Sequence, residues 1–202
     1  MSGQPSLIAG IILAAGMSTR FGGNKLLADY QGRPIIRWVA EAALASQLTQ
    51  IVVVLGHQAV AVGDALAGLP IDTVVNQDYQ HGQSTSVISG LKAVQTNYSA
   101  AMYLMGDQPL IETAIIDELI TAYVKSEHDI CYPSFQNKRR NPVIFGDVFF
   151  DDILALTGDT GARAIIDANP GRALAIGFNH EQSFLDVDEE IDLNSLHSTG
   201  TN

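Results

Sequence analysis

The chain has 202 residues, of which 47% are hydrophobic and 16% charged, and it carries a formal net charge of −11 at pH 7. That length suits one domain with a full hydrophobic core, and the acidic balance leaves no basic surplus to displace counterions from a nucleic-acid backbone. Cys131 is alone, which excludes an intramolecular disulfide and a cysteine-based zinc site.

The N-terminus has no basic segment ahead of an apolar one, and the run from Leu7 to Ala15 falls far short of the roughly 20 apolar residues that cross a bilayer. A soluble cytoplasmic protein is expected, with neither a membrane nor a nucleic acid as partner. One domain over residues 1–202 is expected, with disordered tails at 1–5 and 197–202.

Leu7 to Leu13 reads as a buried strand. It runs into Ala14-Ala15-Gly16-Met17-Ser18-Thr19-Arg20-Phe21-Gly22-Gly23-Asn24-Lys25, where small residues precede two cations, Arg20 and Lys25. Small side chains let backbone N–H groups approach phosphate oxygens, while Arg and Lys neutralise charge from the sides. The spacing matches neither common phosphate loop. Lys25 is followed by Leu26 rather than the Ser or Thr of a P-loop, and Gly16, Gly22 and Gly23 are wrongly spaced for the dinucleotide fingerprint. A glycine-rich turn with incidental charges is the bland alternative.

Pro34 opens a predicted helix with the stripe Ile35, Ile36, Val39, Ala42, Ala43 and Leu44, ending near Ser46. Ile51 to Leu55 reads as a central parallel strand, Gln58 to Leu66 as a second helix, and Ile71 to Val75 as a third strand. This alternation argues for an α/β sheet with crossover helices. The segment from Asn76 to Ser86 then sets polar and small residues at the sheet edge where ligands bind, ahead of a helix over Ser84 to Gln95. Gly82 offers its backbone at close range, and Ser84 and Ser86 can donate or cap. His81 reads as a solvated loop residue.

A fourth strand, Ala101 to Met105, delivers Gly106-Asp107-Gln108-Pro109. Asp107 at such a tip suits a hard divalent cation; the alternative is a cap on the helix from Glu112 to Lys125. Mg²⁺ takes only one or two protein carboxylates, so one more acidic residue is sought downstream. After a strand over Asp129 to Pro133, Lys138-Arg139-Arg140 is either a solvated hairpin tip or an anion contact. A helix is expected over Asp147 to Leu156. Thr157 to Arg163 then opens another, to about Asp167, with Asp159 as its cap. A strand over Ala173 to Ile176 follows, and alternation along Phe184 to Asp188 puts Asp186 and Asp188 on one face of a last strand.

The stretch from Leu13 to Lys25 resembles the Leu-x-x-Gly-x-Ser-x-Arg-Phe/Met-Gly-x-x-Lys signature of the MobA-like nucleotidyltransferases. Its Leu-Ala-Ala-Gly opening is similar to the cytidylyltransferase variant, as in molybdenum cofactor cytidylyltransferase, rather than to the Leu-Ala-Gly-Gly of the guanylyl branch. Asn-x-x-Tyr-x-x-Gly-x-Ser-x-Ser from Asn76, Gly-Asp-x-Pro from Gly106 and Gly-Asp-x-Gly-Ala-Arg from Gly158 resemble further motifs of the family. The resemblance runs from about Ile8 to Leu193. It implies a single three-layer Rossmann-like α/β domain of the GT-A nucleotidyltransferase type, with a mostly parallel central sheet.

In activity, the resemblance implies transfer of CMP from CTP to the phosphate of molybdopterin, with release of pyrophosphate and dependence on Mg²⁺, or Mn²⁺ in its place. A transient contact with a molybdoenzyme or its chaperone goes with that role. Arg20, Lys25 and Asp107 would be catalytic. Leu13, Ala14, Ala15, Gly16, Arg20, Lys25, Asn76, Gly82, Ser84, Ser86 and Gly106 would bind the nucleotide. Arg140, Asn141, Asp159 and Arg163 would face the acceptor, and Asp107 with Asp188 or Asp186 would hold the metal. Asn141 departs from the His that the family often carries, and Glu189-Glu190-Ile191-Asp192 departs from Thr-Pro-Glu-Asp. The alternatives are a cytidylyl, uridylyl or guanylyl transferase for another phosphorylated acceptor, a non-catalytic nucleotide-binding module, and a hydride-transferring dinucleotide enzyme.

Overall fold

The apolar run Ile8–Ala14 forms strand β1, from which a computed structural model builds outward, describing residues 7–18, 21–159, 161–189 and 192. After the loop that follows come a short hairpin, β2 (Asp29–Tyr30) and β3 (Arg33–Pro34), then α1 (Ile35–Leu44), β4 (Gln50–Leu55), α2 (Ala59–Ala65) and β5 (Asp72–Val75). Next are α3 (Gln83–Val94), β6 (Ala100–Met105), α4 (Thr113–Lys125), β7 (Ile130–Phe135), β8 (Lys138–Arg139) and β9 (Val143–Gly146). The last elements are α5 (Phe150–Leu154), α6 (Arg163–Ala168) and β10 (Ala173–Gly177).

The main sheet runs β10-β7-β9-β6-β1-β4-β5, with β8 paired to β7. β5, β4, β1 and β6 are parallel, β9 enters antiparallel between β6 and β7, and β10 is parallel to β7. Period-two alternation splits the strand side chains between two cores. Ile8, Ile12, Ile51, Val53, Met102 and Leu104 pack against α1, α2 and α4. Ala9, Ile11, Val52, Val54, Ala101 and Tyr103 pack against α3, α5 and α6. Helices therefore cover both faces, as a nearly continuous apolar strand sequence requires. Gly90 lets α3 settle closely on β1, because a Cβ there would lie 2.3 Å from Ile11 Cγ2.

The chain steps from β1 to β4 and β5 on one side, then returns through α3 to β6 on the other side of β1. That reversal opens a crevice beyond the carboxyl ends of β1 and β6, the place where open α/β sheets bind ligands. The loop after β1 and Gly106-Asp107-Gln108 after β6 both lie there, joined where the Gly106 N–H donates to Leu13 O at 3.0 Å.

Most predicted elements stand within a residue or two of their expected bounds. The strand expected over Phe184 to Asp188 does not form: Gln182–Phe184 is a 3-10 turn, and residues 185–188 pair with no strand. Instead Val187 is fully buried against Phe21, Tyr30 and Ile35, and its N–H donates to Asp107 O at 3.0 Å. This strap still sends Asp186 and Asp188 out either side of a buried plug. The basic run is not the hairpin tip. Gln136 and Asn137 make that turn with φ of 50° and 61°, and Lys138 and Arg139 already belong to β8. No helix among the described residues is long and apolar enough to cross a membrane. The expected tails lie outside the described residues.

Candidate active site

Asn24 starts the site by accepting the Leu26 N–H on its side-chain oxygen at 3.1 Å, which tightens residues 25–27 into a 3-10 turn. The turn aims Lys25 Nζ between two carboxylates, 2.5 Å from Asp107 Oδ2 and 2.9 Å from Asp188 Oδ1. Burial works against the ammonium charge, but Asp107 and then Asp188 outweigh it, and the Lys25 pKa is raised. The other oxygen, Asp107 Oδ1, is buried and accepts no hydrogen bond. Asp188 is fixed from its own backbone, since its N–H and that of Glu189 donate to Asp192 Oδ2 at 2.9 and 2.8 Å.

Asp186 goes elsewhere. It accepts from Gln108 Nε2 at 2.8 Å, and partial removal of its carboxyl from water, with the Asp107 charge nearby, pushes its pKa up to about 6. Asp188 faces Lys25, so the three aspartates do not converge on a point. Among the described residues no group of three or more His, Cys, Asp or Glu is arranged to hold a metal ion. Asp107, whose Oδ1 accepts no hydrogen bond, and Asp188 beside Lys25 are the carboxylates that could hold a hard cation, and Mg²⁺ commonly takes one or two.

Two cavities meet at this cluster. The smaller, about 390 Å³, is lined by Leu13 to Ser18, Lys25, Tyr79, Gly82, Ser86 and Asp107. The larger, about 1030 Å³, is lined by Arg139, Arg140, Asn141, Arg163, Tyr103, Phe184 and Asp186. Leu13, Gln83, Met105, Asp159 and Asp188 line both and form a shared wall.

Of the residues expected at the nucleotide, Leu13, Ala14, Ala15, Gly16, Lys25, Gly82 and Ser86 line the smaller cavity. Asn76, Ser84 and Gly106 stand behind it. Asn76 is buried, donating through Nδ2 to Thr85 Oγ1 and Ser86 Oγ at 2.8 and 3.0 Å and accepting the Asp78 N–H. Ser84 is buried with its N–H on Gly158 O. Arg20 lies outside the described residues.

Of the expected acceptor residues, Arg140, Asn141, Asp159 and Arg163 all line the larger cavity. Arg140 is ion-paired with Glu181 and Arg139 with Asp167 at 2.5 Å, whereas the Arg163 side chain is largely exposed. Asp159 does not cap the helix that follows it. Its Oδ1 accepts the Gln83 N–H at 3.0 Å and so caps α3, 76 residues away in sequence. The loop folds back this way because Gly158 and Gly161 adopt φ of 69° and 53°.

Gln108 was legible only as part of a turn. It is 2% exposed and donates to Phe184 O and Asp186 Oδ1, tying the strap to the loop after β6. A polar residue between Asp107 and Pro109 carries no pattern that foretells a contact 76 residues on. Gln83, at an unspecified position of the motif from Asn76, likewise enters the site only through tertiary packing, whereas the Tyr79 of that motif lines the smaller cavity.

A mixed α/β sheet with a small-residue loop, a lysine and two carboxylates at its switch point defines a nucleotide-binding protein of the nucleotidyltransferase fold. The chain belongs to the MobA-like NTP transferase domain family, whose model matches residues 10–173. It is 30% identical over 189 residues to nicotine blue oxidoreductase of Paenarthrobacter nicotinovorans, covering 90% of this chain and 92% of that one. It is 30% identical over 201 residues to the purine catabolism protein PucB of Bacillus subtilis, covering 94% and 96%. The match to the bifunctional protein GlmU of an Anaeromyxobacter species spans 26% of that protein. Among solved structures, Rv0371c of Mycobacterium tuberculosis superposes with a TM-score of 0.84 at 25% identity, over 96% of this chain and 98% of that one.

Proposed function

We propose that this chain, acting as one domain over residues 1–202, transfers CMP from CTP to the phosphate of molybdopterin and releases pyrophosphate. The observation that carries the reading is Lys25 held between Asp107 and Asp188 at the mouth of a cavity walled by small residues. An acceptor phosphate oxygen attacks the α-phosphorus in line. The new P–O bond forms as the bond to the bridging α–β oxygen breaks, and pyrophosphate leaves with that electron pair. The nucleophile is already an anion, so the protein's task is alignment and charge neutralisation rather than proton removal.

Lys25, with Arg20, neutralises the triphosphate. Asp107 Oδ1 and Asp188 would hold Mg²⁺ or Mn²⁺, which when bound supplies positive charge to the phosphate oxygens. The walls of Ala14, Ala15, Gly16, Gly82 and Ser86 admit the nucleoside, with Asn76, Ser84 and Gly106 holding those walls from behind. Ala15 and the Leu-Ala-Ala-Gly opening support cytosine. The larger cavity supports an aromatic, anionic acceptor: Tyr103 and Phe184 offer apolar surface, and Arg140, Arg163 and Asn141 offer donors. A molybdoenzyme or its chaperone would take the product.

Pyrophosphate release from CTP, GTP, UTP and ATP, each with and without molybdopterin and with Mg²⁺ or Mn²⁺, tests the reading. Release from CTP that depends on molybdopterin is expected. Preference for GTP overturns the base assignment, and no release from any triphosphate favours a binding module. A relative named an oxidoreductase adds one arm, oxidation of a reduced nicotinamide dinucleotide, which the glycine spacing of residues 16–23 speaks against.

A further inference from the structure

The wall between the two cavities is built from two segments far apart in sequence. One is the N-terminus of α3, and the other is the turn around Gly158 and Asp159. They are joined by two hydrogen bonds from consecutive backbone N–H groups: Gln83 to Asp159 Oδ1 at 3.0 Å and Ser84 to Gly158 O at 3.1 Å. The contact is close. Gly82 has φ of 109°, and a Cβ on it would sit 2.6 Å from Gly158 O; a Cβ on Gly161 would meet Gln83 Oε1 at 2.8 Å. Gln83 and Asp159 face both cavities.

We propose that Asp159 is a positioning residue that fixes this shared wall, so that one contact sets the shape of both substrate sites. The first N–H groups of a helix have no partner within it, and a carboxylate oxygen from outside satisfies one of them. With that oxygen gone, the start of α3 and the 157–159 turn separate, and Gly82 and Gln83 move at the nucleotide while Asp159 and Gly161 move at the acceptor. The work is done by the oxygen as an acceptor, not by its charge. An amide oxygen in the same place therefore serves.

The inference rests on the two-cavity reading above, and its test separates the two. Asp159→Ala and Asp159→Asn are made at this exposed side chain, with far-UV circular dichroism to verify that both fold. Amide exchange of Gln83 and Ser84 is followed in the protein without substrates. Steady-state constants for the triphosphate and the acceptor come from pyrophosphate release. Asp159→Ala is expected to speed exchange at both amides by about tenfold and to raise both KM values by a similar factor, with kcat far less affected. Asp159→Asn is expected to restore all three.

Unchanged exchange in Asp159→Ala overturns the proposal whatever the turnover. A rise in the acceptor KM alone, or an Asn variant as impaired as the Ala variant, overturns it in favour of direct charge contact with the acceptor. Absence of pyrophosphate release by the unmodified protein overturns the function proposed above and leaves the exchange measurement standing.

Discussion

Lys25 Nζ stands 2.5 Å from Asp107 Oδ2, although the two residues lie on opposite sides of the sheet's topological reversal. The pair joins the loop after β1 to the loop after β6, and leaves Asp107 Oδ1 buried and without a hydrogen bond. An acceptor oxygen so placed is costly unless a cation or donor meets it when the site is filled. Lys25→Ala and Asp107→Ala are each expected to lower pyrophosphate release by at least about 100-fold, the scale of losing one electrostatic contact to a transition state. Far-UV circular dichroism should be unchanged in both. Near-normal release in either variant would remove that residue from the chemistry.

Gly90 sits where α3 crosses β1, and a Cβ there would lie 2.3 Å from Ile11 Cγ2 and 3.0 Å from Val54 Cγ2. Ala has the better helix propensity, by about 1 kcal/mol. Overpacking a close-packed core costs about 1–3 kcal/mol, so the crowding wins. Gly90→Ala should lower the urea midpoint with little change in slope. A midpoint at or above that of the unmodified protein would show that the helix shifts freely.

Burial pushes the Cys131 thiol from 9.0 up to about 12, and burial with the nearby Asp129 and Asp147 charges pushes the Tyr123 phenol from 10.0 up to about 12. Tyr103, whose hydroxyl donates to Val87 O, is pushed up by burial as well. The folded state keeps protons that the unfolded chain has lost, so these groups contribute their stability fully below pH 9 and lose it progressively as pH rises toward 12. Urea midpoints measured from pH 8 to 11 should fall. A flat or rising series would contradict this burial.

Asn76 holds three groups at once, Thr85 Oγ1, Ser86 Oγ and the Asp78 N–H. Asn76→Ala takes a partner from the buried Ser86 Oγ and loosens the part-buried Thr85 and Asp78 contacts, at a cost of about 1–3 kcal/mol. Lower stability is expected together with a raised KM for the triphosphate, read from unfolding curves and pyrophosphate release. A raised KM with full stability would mean that Asn76 touches the nucleotide itself.

Much of this fold is legible in the sequence because β1, β4 and β6 are buried on both faces and read as unbroken apolar runs. Asp107 is legible for the same reason: it follows such a run directly, so its place at the strand tip follows from local pattern. The strap at 185–188 is not, since Val187 is held by Phe21, Tyr30 and Ile35 rather than by a ladder, and an alternating Asp-Val-Asp looks the same in either setting. Asp159 shows the same limit. A carboxylate just ahead of a helix reads as that helix's cap, and only the packed chain shows that the N–H it meets belongs to α3. The β2–β3 hairpin turns on Gln31 and Gly32 at φ of 53° and 82°. The usual Asn-Gly or Asp-Gly signal for such a turn is missing there.

In the proposed reaction the Lys25–Asp107–Asp188 cluster promotes attack on the α-phosphorus of CTP by an acceptor phosphate. CTP labelled at the α-phosphorus, incubated with molybdopterin and Mg²⁺, tests it most directly. The label should pass to a molybdopterin product at the same rate as pyrophosphate appears, and Lys25→Ala should abolish both. Label that stays in CTP, or that is released as free CMP whether or not molybdopterin is present, would rule out transfer to the acceptor.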